Sequence, residues 1–191
     1  MTQPALTGKA VIVTGAGNGI GRAIATQFAS VGAAVLCTDL NSGMAQDTAQ
    51  IILRAGGRAL ALRCDVSLEA DTRAAAEAAQ VAFGRIDILV NAAATDDPNG
   101  TVVDIEPAEW TRVFAVNVMG AYLMSRAVLP AMIAAGGGNI HPYCVAAWPG
   151  GRPRAGSLLR IERRDHSARK SYGGGPCRTK YSGQFAVSRR R

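Results

Sequence analysis

The sequence predicts an α/β protein built on a doubly wound parallel sheet that is incomplete after its fifth strand. Short apolar runs alternate with segments of helical periodicity, a pattern typical of parallel sheets covered by helices on both faces. Right-handed crossovers place the carboxyl ends of such strands along one edge, where ligands bind. A glycine or a polar residue follows each of four predicted strands, namely Gly15, Asp39, Asp65 and Asn91. We therefore expect a ligand site at this edge.

The individual elements follow from periodicity and from flanking residues. Apolar side chains recur on one helical face between residues 20 and 31, and Pro107 suits the first turn of a later helix. Three glycines at 136–138 end the helical pattern and precede a fifth strand that begins at 139–140. The predicted strands before it are residues 9–14, 33–38, 58–63 and 86–90. The predicted helices are residues 20–31, 46–53 and 68–83, followed by two helices between 107 and 135.

Composition narrows the class of protein. A chain of 191 residues that is 48% hydrophobic can form one domain with a substantial core. No apolar run reaches the length of a membrane span and the N-terminus does not resemble a signal peptide, so we expect no membrane association. The four cysteines are scattered without a C-x-x-C pair, which favours reduced thiols in the cytoplasm. Neither histidine has a partner at metal-ligand spacing, so no metal site is predicted.

The charge is distributed unevenly along the chain. Residues 152–191 hold 12 Lys and Arg against 2 Asp and Glu, a net charge of +10, whereas residues 1–151 have a net charge of −3. The same C-terminal segment is rich in Gly, Arg, Ser and Pro and has no sustained apolar period, which is typical of loop or disorder. We therefore predict two regions, a domain over 1–151 and a basic tail of low order over 152–191.

The first strand runs into a glycine-rich turn, V-I-V-T-G-A-G-N-G-I-G-R. A diphosphate requires backbone N–H groups and the positive end of a helix close to its oxygens. Glycine permits positive φ in a tight turn and removes the β-carbon that would hold the backbone away. Gly15 follows the strand, and Gly19 and Gly21 open the helix. A glycine-rich turn without a ligand is the alternative, and the β-turn-α context favours the dinucleotide site.

An acidic residue follows the glycine-rich turn at the spacing that a dinucleotide site requires. Asp39 ends the second predicted strand, 18 residues after Gly21. Its carboxylate can accept hydrogen bonds from both ribose hydroxyls of an adenosine and would repel a 2′-phosphate, and no arginine stands beside it. This pattern favours NAD over NADP. The alternative role for Asp39 is a cap on the helix that starts near Ser42.

Several motifs together resemble the short-chain dehydrogenase/reductase family over residues 1–140. The spacing T-G-x-x-x-G-x-G matches from Thr14 to Gly21, and Asp65-Val66 is similar to the family's adenine-contacting D-V pair. The stretch 91–94, N-A-A-A, resembles the family's N-N-A-G, with alanine replacing its second Asn and its Gly. Asn117 matches the helix asparagine that helps to hold a catalytic water and lysine. Taken alone, Asn117 would be a structural residue at a helix bend.

The resemblance implies a Rossmann-like NAD-binding domain and hydride transfer between nicotinamide and a secondary alcohol or ketone. It also implies that intact members form homo-oligomers, and it assigns Asn117 to the catalytic site. The implied cofactor-binding residues are Gly15, Asn18, Gly19, Ile20, Gly21, Asp39, Leu40, Asp65, Val66, Asn91, Ala92 and Ala93.

The resemblance fails in the segment that should carry the chemistry. The family uses a serine to orient the substrate and Y-x-x-x-K to transfer the proton, the lysine lowering the pKa of the tyrosine. An unassisted tyrosine has a pKa of about 10 and is a poor base at neutral pH. This chain contains no Y-x-x-x-K, Cys144 stands where the serine is expected, and Pro142 falls in the expected strand. We therefore expect little or no dehydrogenase activity from the chain as it stands.

A shift of the reading frame explains this departure. Codons can be chosen for residues 157–184 so that the frame one base later reads A-Y-C-A-S-K-G-A-I-T-A-L-A-K-A-M-A-V-D-H-A-A-Q-N-I-R-V-N. That string contains Y-x-x-x-K, an amphipathic helix and N-I-R-V-N in the order of the family. Arginine is then frequent because GC-rich DNA read out of frame yields CGN codons.

Two further functions are compatible with the sequence. The chain could be a non-catalytic dinucleotide-binding module. Alternatively, the arginine-rich tail could bind nucleic acid through phosphate charge, with steep salt dependence. The tail lacks regularly spaced aromatic side chains, which disfavours the nucleic-acid hypothesis.

Overall fold

A computed structural model describes residues 5–95 and 103–142 and the backbone of 159–162. Its strands form one sheet in the order β3-β2-β1-β4-β5-β6. All neighbours from β3 to β5 are parallel, whereas β6 runs antiparallel to β5. The predicted Rossmann-like, doubly wound sheet is therefore confirmed, and its parallel part ends at β5. The strands are β1 (Ala10–Thr14), β2 (Ala34–Asp39), β3 (Arg58–Arg63), β4 (Ile88–Asn91), β5 (Gly137–Pro142) and β6 (Leu159–Glu162).

Helices cover both faces of the sheet. Successive side chains of a strand point to opposite faces, so Ile12 of β1 packs in one apolar cluster and Val11 and Val13 in another. The cluster around Ile12 is completed by α3 and α5, and the other by α1 and α2. All five residues of β1 are buried, as expected for a central strand covered on both sides. The helices are α1 (Gly19–Ser30), α2 (Ser42–Arg54), α3 (Glu69–Phe83), α4 (Pro107–Phe114) and α5 (Ala121–Ala134).

The two helices predicted between residues 107 and 135 are present as α4 and α5, but they are continuous with each other. The π-helical segment Ala115–Gly120 joins α4 to α5 without a break. The joined run Pro107–Ala134 is long and apolar enough to cross a membrane, which the sequence did not lead us to expect. However, Met124, Val128 and Met132 are fully buried in the core, and one such helix is weak evidence for a membrane span. The α5 part of the run therefore contributes a buried face to the core, whereas α4 has no buried residue.

The segment predicted to be a loop forms one short strand. The residues of β6 pair with Gly137–Ile140 at the edge of the sheet. Four residues are too few for a period-2 pattern to be recognised among arginines and glycines. Pro142 lies at the last position of β5, opposite Asn91, where a missing N–H interrupts the ladder least. The remaining residues of the predicted tail lie outside the described residues, so the boundary at 151/152 stays a prediction.

Candidate functional site

The glycine-rich turn lies at the carboxyl edge of β1, and its glycines have different structural reasons. Gly15 has a φ of +62°, and a β-carbon there would lie 2.7 Å from the Cα of Ala93. A β-carbon on Gly21 would lie 2.0 Å from the carbonyl oxygen of Gly15. Gly19 has a φ of +49° and open space around its Cα within the described structure. Contacts inside the protein thus require Gly15 and Gly21, whereas the conformation alone favours glycine at position 19.

The amino end of α1 is open to an anion. Asn18 is the N-cap of α1 but makes no side-chain capping bond within the described part of the chain. Asn41, the N-cap of α2, does accept a hydrogen bond from the Met44 N–H. Asn18, Gly19 and Ile20 are exposed. The free N–H groups and the helix dipole at this end suit a phosphate group.

Asp39 lies at the end of β2 and faces the turn. Its Oδ2 accepts a hydrogen bond of 2.9 Å from the Gly17 N–H, and its Oδ1 accepts one of 2.9 Å from the Asn41 N–H. The side chain is therefore fixed beside the turn by two backbone donors. Because Asn41 caps α2, the alternative role for Asp39 as the cap of that helix is not observed. Leu40, which follows it, is 60% exposed.

Asp65 and Val66 follow β3 at the same edge. The Oδ1 of Asp65 accepts hydrogen bonds from the N–H and the hydroxyl of Ser67, at 3.0 and 2.6 Å. Val66 is buried against Gly120, where a β-carbon would lie 2.6 Å from a Val66 methyl group. The end of the π-helical segment thus packs directly on this loop, and it could not do so with a larger residue at position 120.

The chain after β4 is held against β1 by a threonine. The Thr14 hydroxyl oxygen accepts hydrogen bonds of 3.0 Å from the N–H groups of Ala92 and Ala93. Asn91, the last residue of β4, is only 6% exposed, yet neither polar atom of its side chain has a hydrogen-bond partner among the described residues. Buried polar groups without a partner are rare and costly, which makes this amide a candidate contact for a ligand group.

Asn117 lies in the π-helical segment, a geometry frequently found at functional sites. Its side-chain oxygen accepts a hydrogen bond of 2.8 Å from the Thr95 N–H, and its side-chain nitrogen donates one of 3.1 Å to the Thr95 carbonyl oxygen. Arg112 also donates to the Thr95 hydroxyl. The amide therefore fixes the backbone that leaves the carboxyl edge.

Four residues that complete the site were not among the predicted site residues: Thr14, Gly17, Arg22 and Thr48. Gly17 has no room for a β-carbon, which would lie 2.6 Å from the Oδ2 of Asp39. Arg22 and Thr48 bind the carbonyl groups of the turn. The motif T-G-x-x-x-G-x-G has a threonine before its first glycine, so Thr14 could have been predicted from it. Thr48 is remote from the turn in sequence, and no local motif points to it.

No group of three His, Cys, Asp or Glu side chains in the described ranges is arranged to hold a metal ion. Burial raises the pKa of the Cys37 and Cys64 thiols to about 12, so both are neutral thiols. Burial also lowers the pKa of His141. At neutral pH the two thiols are therefore poor nucleophiles, and His141 is a poor cation.

The residues at the carboxyl edge fit a dinucleotide. The uncapped amino end of α1 offers N–H groups to a diphosphate, and the Asp39 carboxylate offers an acceptor to a ribose. The unpartnered amide of Asn91 lies at the neighbouring strand end, on β4. These three features lie on α1, β2 and β4, which meet at one edge only because the sheet is doubly wound.

Known proteins match the same part of the chain. The family model for short chain dehydrogenase matches residues 9–145. The 7alpha-hydroxysteroid dehydrogenase of Escherichia coli (strain K12) is 40% identical over 135 residues, which cover 71% of this chain and 52% of that protein. The D-threitol dehydrogenase of Mycolicibacterium smegmatis is 41% identical over 141 residues, with the same coverages of 71% and 52%. The chain thus spans about half the length of these curated relatives.

Solved structures agree with these matches. A 7 alpha-hydroxysteroid dehydrogenase complexed with NADH and 7-oxo glycochenodeoxycholic acid gives a TM-score of 0.67 at 39% identity, covering 71% of this chain and 52% of that one. A metagenomic short-chain oxidoreductase in complex with NADP gives a TM-score of 0.65 at 41% identity, covering 68% and 59%. The region matched by the family model contains the glycine-rich turn, and these relatives and structures cover 68–71% of the chain. The chain therefore belongs to the short-chain dehydrogenase family of oxidoreductases.

Proposed function

We propose that this chain binds NAD(H) in preference to NADP(H) at the carboxyl edge of its sheet. The observation that carries the proposal is the fixed position of Asp39, held by two backbone N–H groups beside the glycine-rich turn. A carboxylate in this place accepts hydrogen bonds from ribose hydroxyls and repels a 2′-phosphate. One structural neighbour is a complex with NADH and another a complex with NADP, so the preference follows from Asp39 and not from the family.

The predicted site residues would hold the cofactor in three groups. The N–H groups at Asn18, Gly19 and Ile20 would bind the diphosphate, with Gly15 and Gly21 shaping the turn. Asp39 and Leu40 would contact the adenosine ribose, and Asp65 and Val66 would contact the adenine. Asn91, Ala92 and Ala93 would line the path toward the nicotinamide.

The proposed reaction is hydride transfer between the cofactor and a small secondary alcohol or ketone. When bound, the nicotinamide supplies or accepts the hydride. The chain must then hold the substrate and move a proton at the substrate oxygen, and the family uses Y-x-x-x-K for this step. The sequence contains no such motif. Asn117 would support the catalytic edge by fixing the Thr95 backbone.

We infer that the chain as it stands is an NAD-dependent dehydrogenase by descent that binds cofactor without efficient turnover, and the relatives do not favour the alternative of a non-catalytic module. The named relatives are dehydrogenases, and nothing among them favours the nucleic-acid hypothesis. We place the protein in the cytoplasm, because its two described cysteines are free thiols.

Titration of NADH and NADPH by their fluorescence tests the cofactor preference. The parent chain should bind NADH at least about tenfold more tightly, the effect of one nearby like charge at partial exposure. Asp39→Ala should lose most of this difference. Asp47→Ala removes an exposed acid of α2 and should leave the preference unchanged. Equal affinity of the parent for both cofactors would refute the proposal.

A further inference from the structure

Two side chains outside the predicted site bind the carbonyl groups of the glycine-rich turn. The Thr48 hydroxyl, on α2, donates a hydrogen bond of 2.8 Å to the Ala16 carbonyl oxygen. It accepts one of 3.1 Å from the Arg22 Nε. The Arg22 Nη2, on α1, donates to the Gly17 carbonyl oxygen. Thr48 is completely buried, so α1 and α2 together clamp two successive carbonyl groups.

The bond from Thr48 determines where one peptide unit points. The Ala16 carbonyl and the Gly17 N–H belong to the same planar, trans peptide, so they point in opposite directions. Thr48 fixes the carbonyl, and the N–H on the other side donates to the Oδ2 of Asp39 at 2.9 Å. Because Gly17 has no β-carbon, its own conformation restrains this peptide less than that of another residue would, and the hydrogen bonds at the two ends of the peptide determine its orientation. Thr48 therefore acts on Asp39 through the peptide between them.

The hydrogen bond from Arg22 likewise fixes the orientation of the next peptide, between Gly17 and Asn18. Fixing the Gly17 carbonyl turns the Asn18 N–H of the same peptide away from Arg22, and Asn18 is an exposed residue. It lies at the uncapped amino end of α1. The two clamped peptides thus present one N–H to Asp39 and the next N–H to the place where a diphosphate would lie.

We propose that Arg22 and Thr48 are positioning residues that orient the glycine-rich turn and hold Asp39 in the orientation that selects NAD(H). This proposal rests on the proposed cofactor preference. Cofactor specificity then depends on the Thr48 hydroxyl of α2 and the Arg22 guanidinium of α1 as well as on Asp39 at the end of β2.

Paired titrations of NADH and NADPH on the full chain test the proposal. Thr48→Val and Arg22→Met should each weaken NADH binding by about three- to tenfold, the effect of losing one hydrogen bond between the misoriented turn and the cofactor. They should bring the NADH/NADPH affinity ratio closer to one. Thr48→Ser should keep the parent ratio. Thr72→Val removes another completely buried hydroxyl, one that bonds only within α3, and should leave the ratio unchanged. A parent-like ratio in both Thr48→Val and Arg22→Met would overturn the proposal.

The exchange rate of the Gly17 amide proton gives a second measurement that needs no cofactor. The parent should protect this proton because it donates to Asp39, and Thr48→Val should accelerate its exchange by at least about threefold. Unchanged protection would overturn the proposal. If the parent binds neither cofactor, the proposed function fails, and this exchange rate alone decides whether the clamp orients the turn. If Thr48→Val does not fold, Arg22→Met gives both measurements.

Discussion

At the amino edge of the sheet, the Asp87 carboxylate accepts hydrogen bonds from two side chains and one backbone N–H. At the carboxyl edge, the side-chain amide of Asn91 has no hydrogen-bond partner among the described residues. Asp87 accepts hydrogen bonds from Lys9 at 2.9 Å, from Arg85 at 2.6 and 2.5 Å, and from the Ala10 N–H at 2.9 Å. The same neighbouring strands, β1 and β4, connect both edges. The hydrogen bonds of Asp87 stabilise the amino edge, whereas the amide of Asn91 leaves a donor and an acceptor without a partner at the carboxyl edge of the described structure.

The electrostatics of Asp87 follow from this environment. Burial alone would raise the pKa of the carboxyl group, but the hydrogen bonds from Arg85, the Ala10 N–H and Lys9 outweigh it and lower the pKa below its ordinary value. The pairing with Asp87 raises the pKa of Arg85 in turn. The charged groups of the amino edge thus pair with one another, so the carboxyl edge is the better candidate for a ligand site.

The largest expected effect concerns catalysis at the carboxyl edge. The chain should show no measurable NADH formation with a panel of secondary alcohols, because it lacks Y-x-x-x-K and a positioned acid–base group contributes roughly 10²–10⁴-fold. A version with the reading frame corrected from residue 157 should be active. Robust turnover by the uncorrected chain would refute this prediction. Coding DNA whose shifted frame cannot give the family string would refute the frame hypothesis separately.

The next effect compares two glycines of the turn. Gly15→Ala should lower the free energy of unfolding by about 2–5 kcal/mol, because it combines positive φ with a clash against the Ala93 backbone. Gly19→Ala is the matched control, with positive φ and open space, and should cost about 1–2 kcal/mol. Urea unfolding of both variants measures the difference. Equal losses would mean that the contact with Ala93 does not constrain the turn.

Removing the charge of Asp87 at the amino edge should lower the free energy of unfolding by less than Gly15→Ala does. Asp87→Asn should lower the free energy of unfolding by about 1.5–3 kcal/mol at pH 7, because it removes charge-assisted hydrogen bonds. The folded-state pKa of Asp87 lies below its unfolded value, so the stabilisation is present above about pH 4 and disappears as the pH falls through the folded pKa. The difference in the free energy of unfolding between the parent and Asp87→Asn should therefore be smaller at pH 3 than at pH 7. Asp47→Asn, at an exposed acid, is the control, and a gap that widens toward low pH would contradict the prediction.

The smallest effect has the opposite sign. Asn91→Leu should raise the free energy of unfolding by about 1 kcal/mol, because it removes a buried amide without partners in the described structure. The same variant should bind NADH more weakly. Thr38→Val is the control, since the buried Thr38 hydroxyl does donate to Val13, and its loss should destabilise the protein. Destabilisation by Asn91→Leu would show that the amide is satisfied in the free protein.

Local sequence patterns were sufficient for most elements of the sheet. Strand β3 occupies the predicted residues 58–63, and α1 begins one residue before its predicted start. Helix α2 extends beyond the predicted 46–53 at both ends, because Asn41 supplies a cap that apolar periodicity does not reveal. Strand β6 was not predicted because its pairing with β5 depends on partners 19 to 25 residues away in the sequence.

The sequence by itself determined the order of strands and helices, the glycine-rich turn and the family of the chain, because periodicity, glycine spacing and strand-end polar residues are local properties. Only the tertiary structure decided which groups at the two edges are satisfied. It joined Thr48 to the Ala16 carbonyl, Asn117 to the Thr95 backbone, and Asp87 to Lys9 and the Ala10 N–H. Such pairs are separated by 22 to 78 residues. They form only when the crossovers close, so their hydrogen bonds have no signature in any short stretch of sequence.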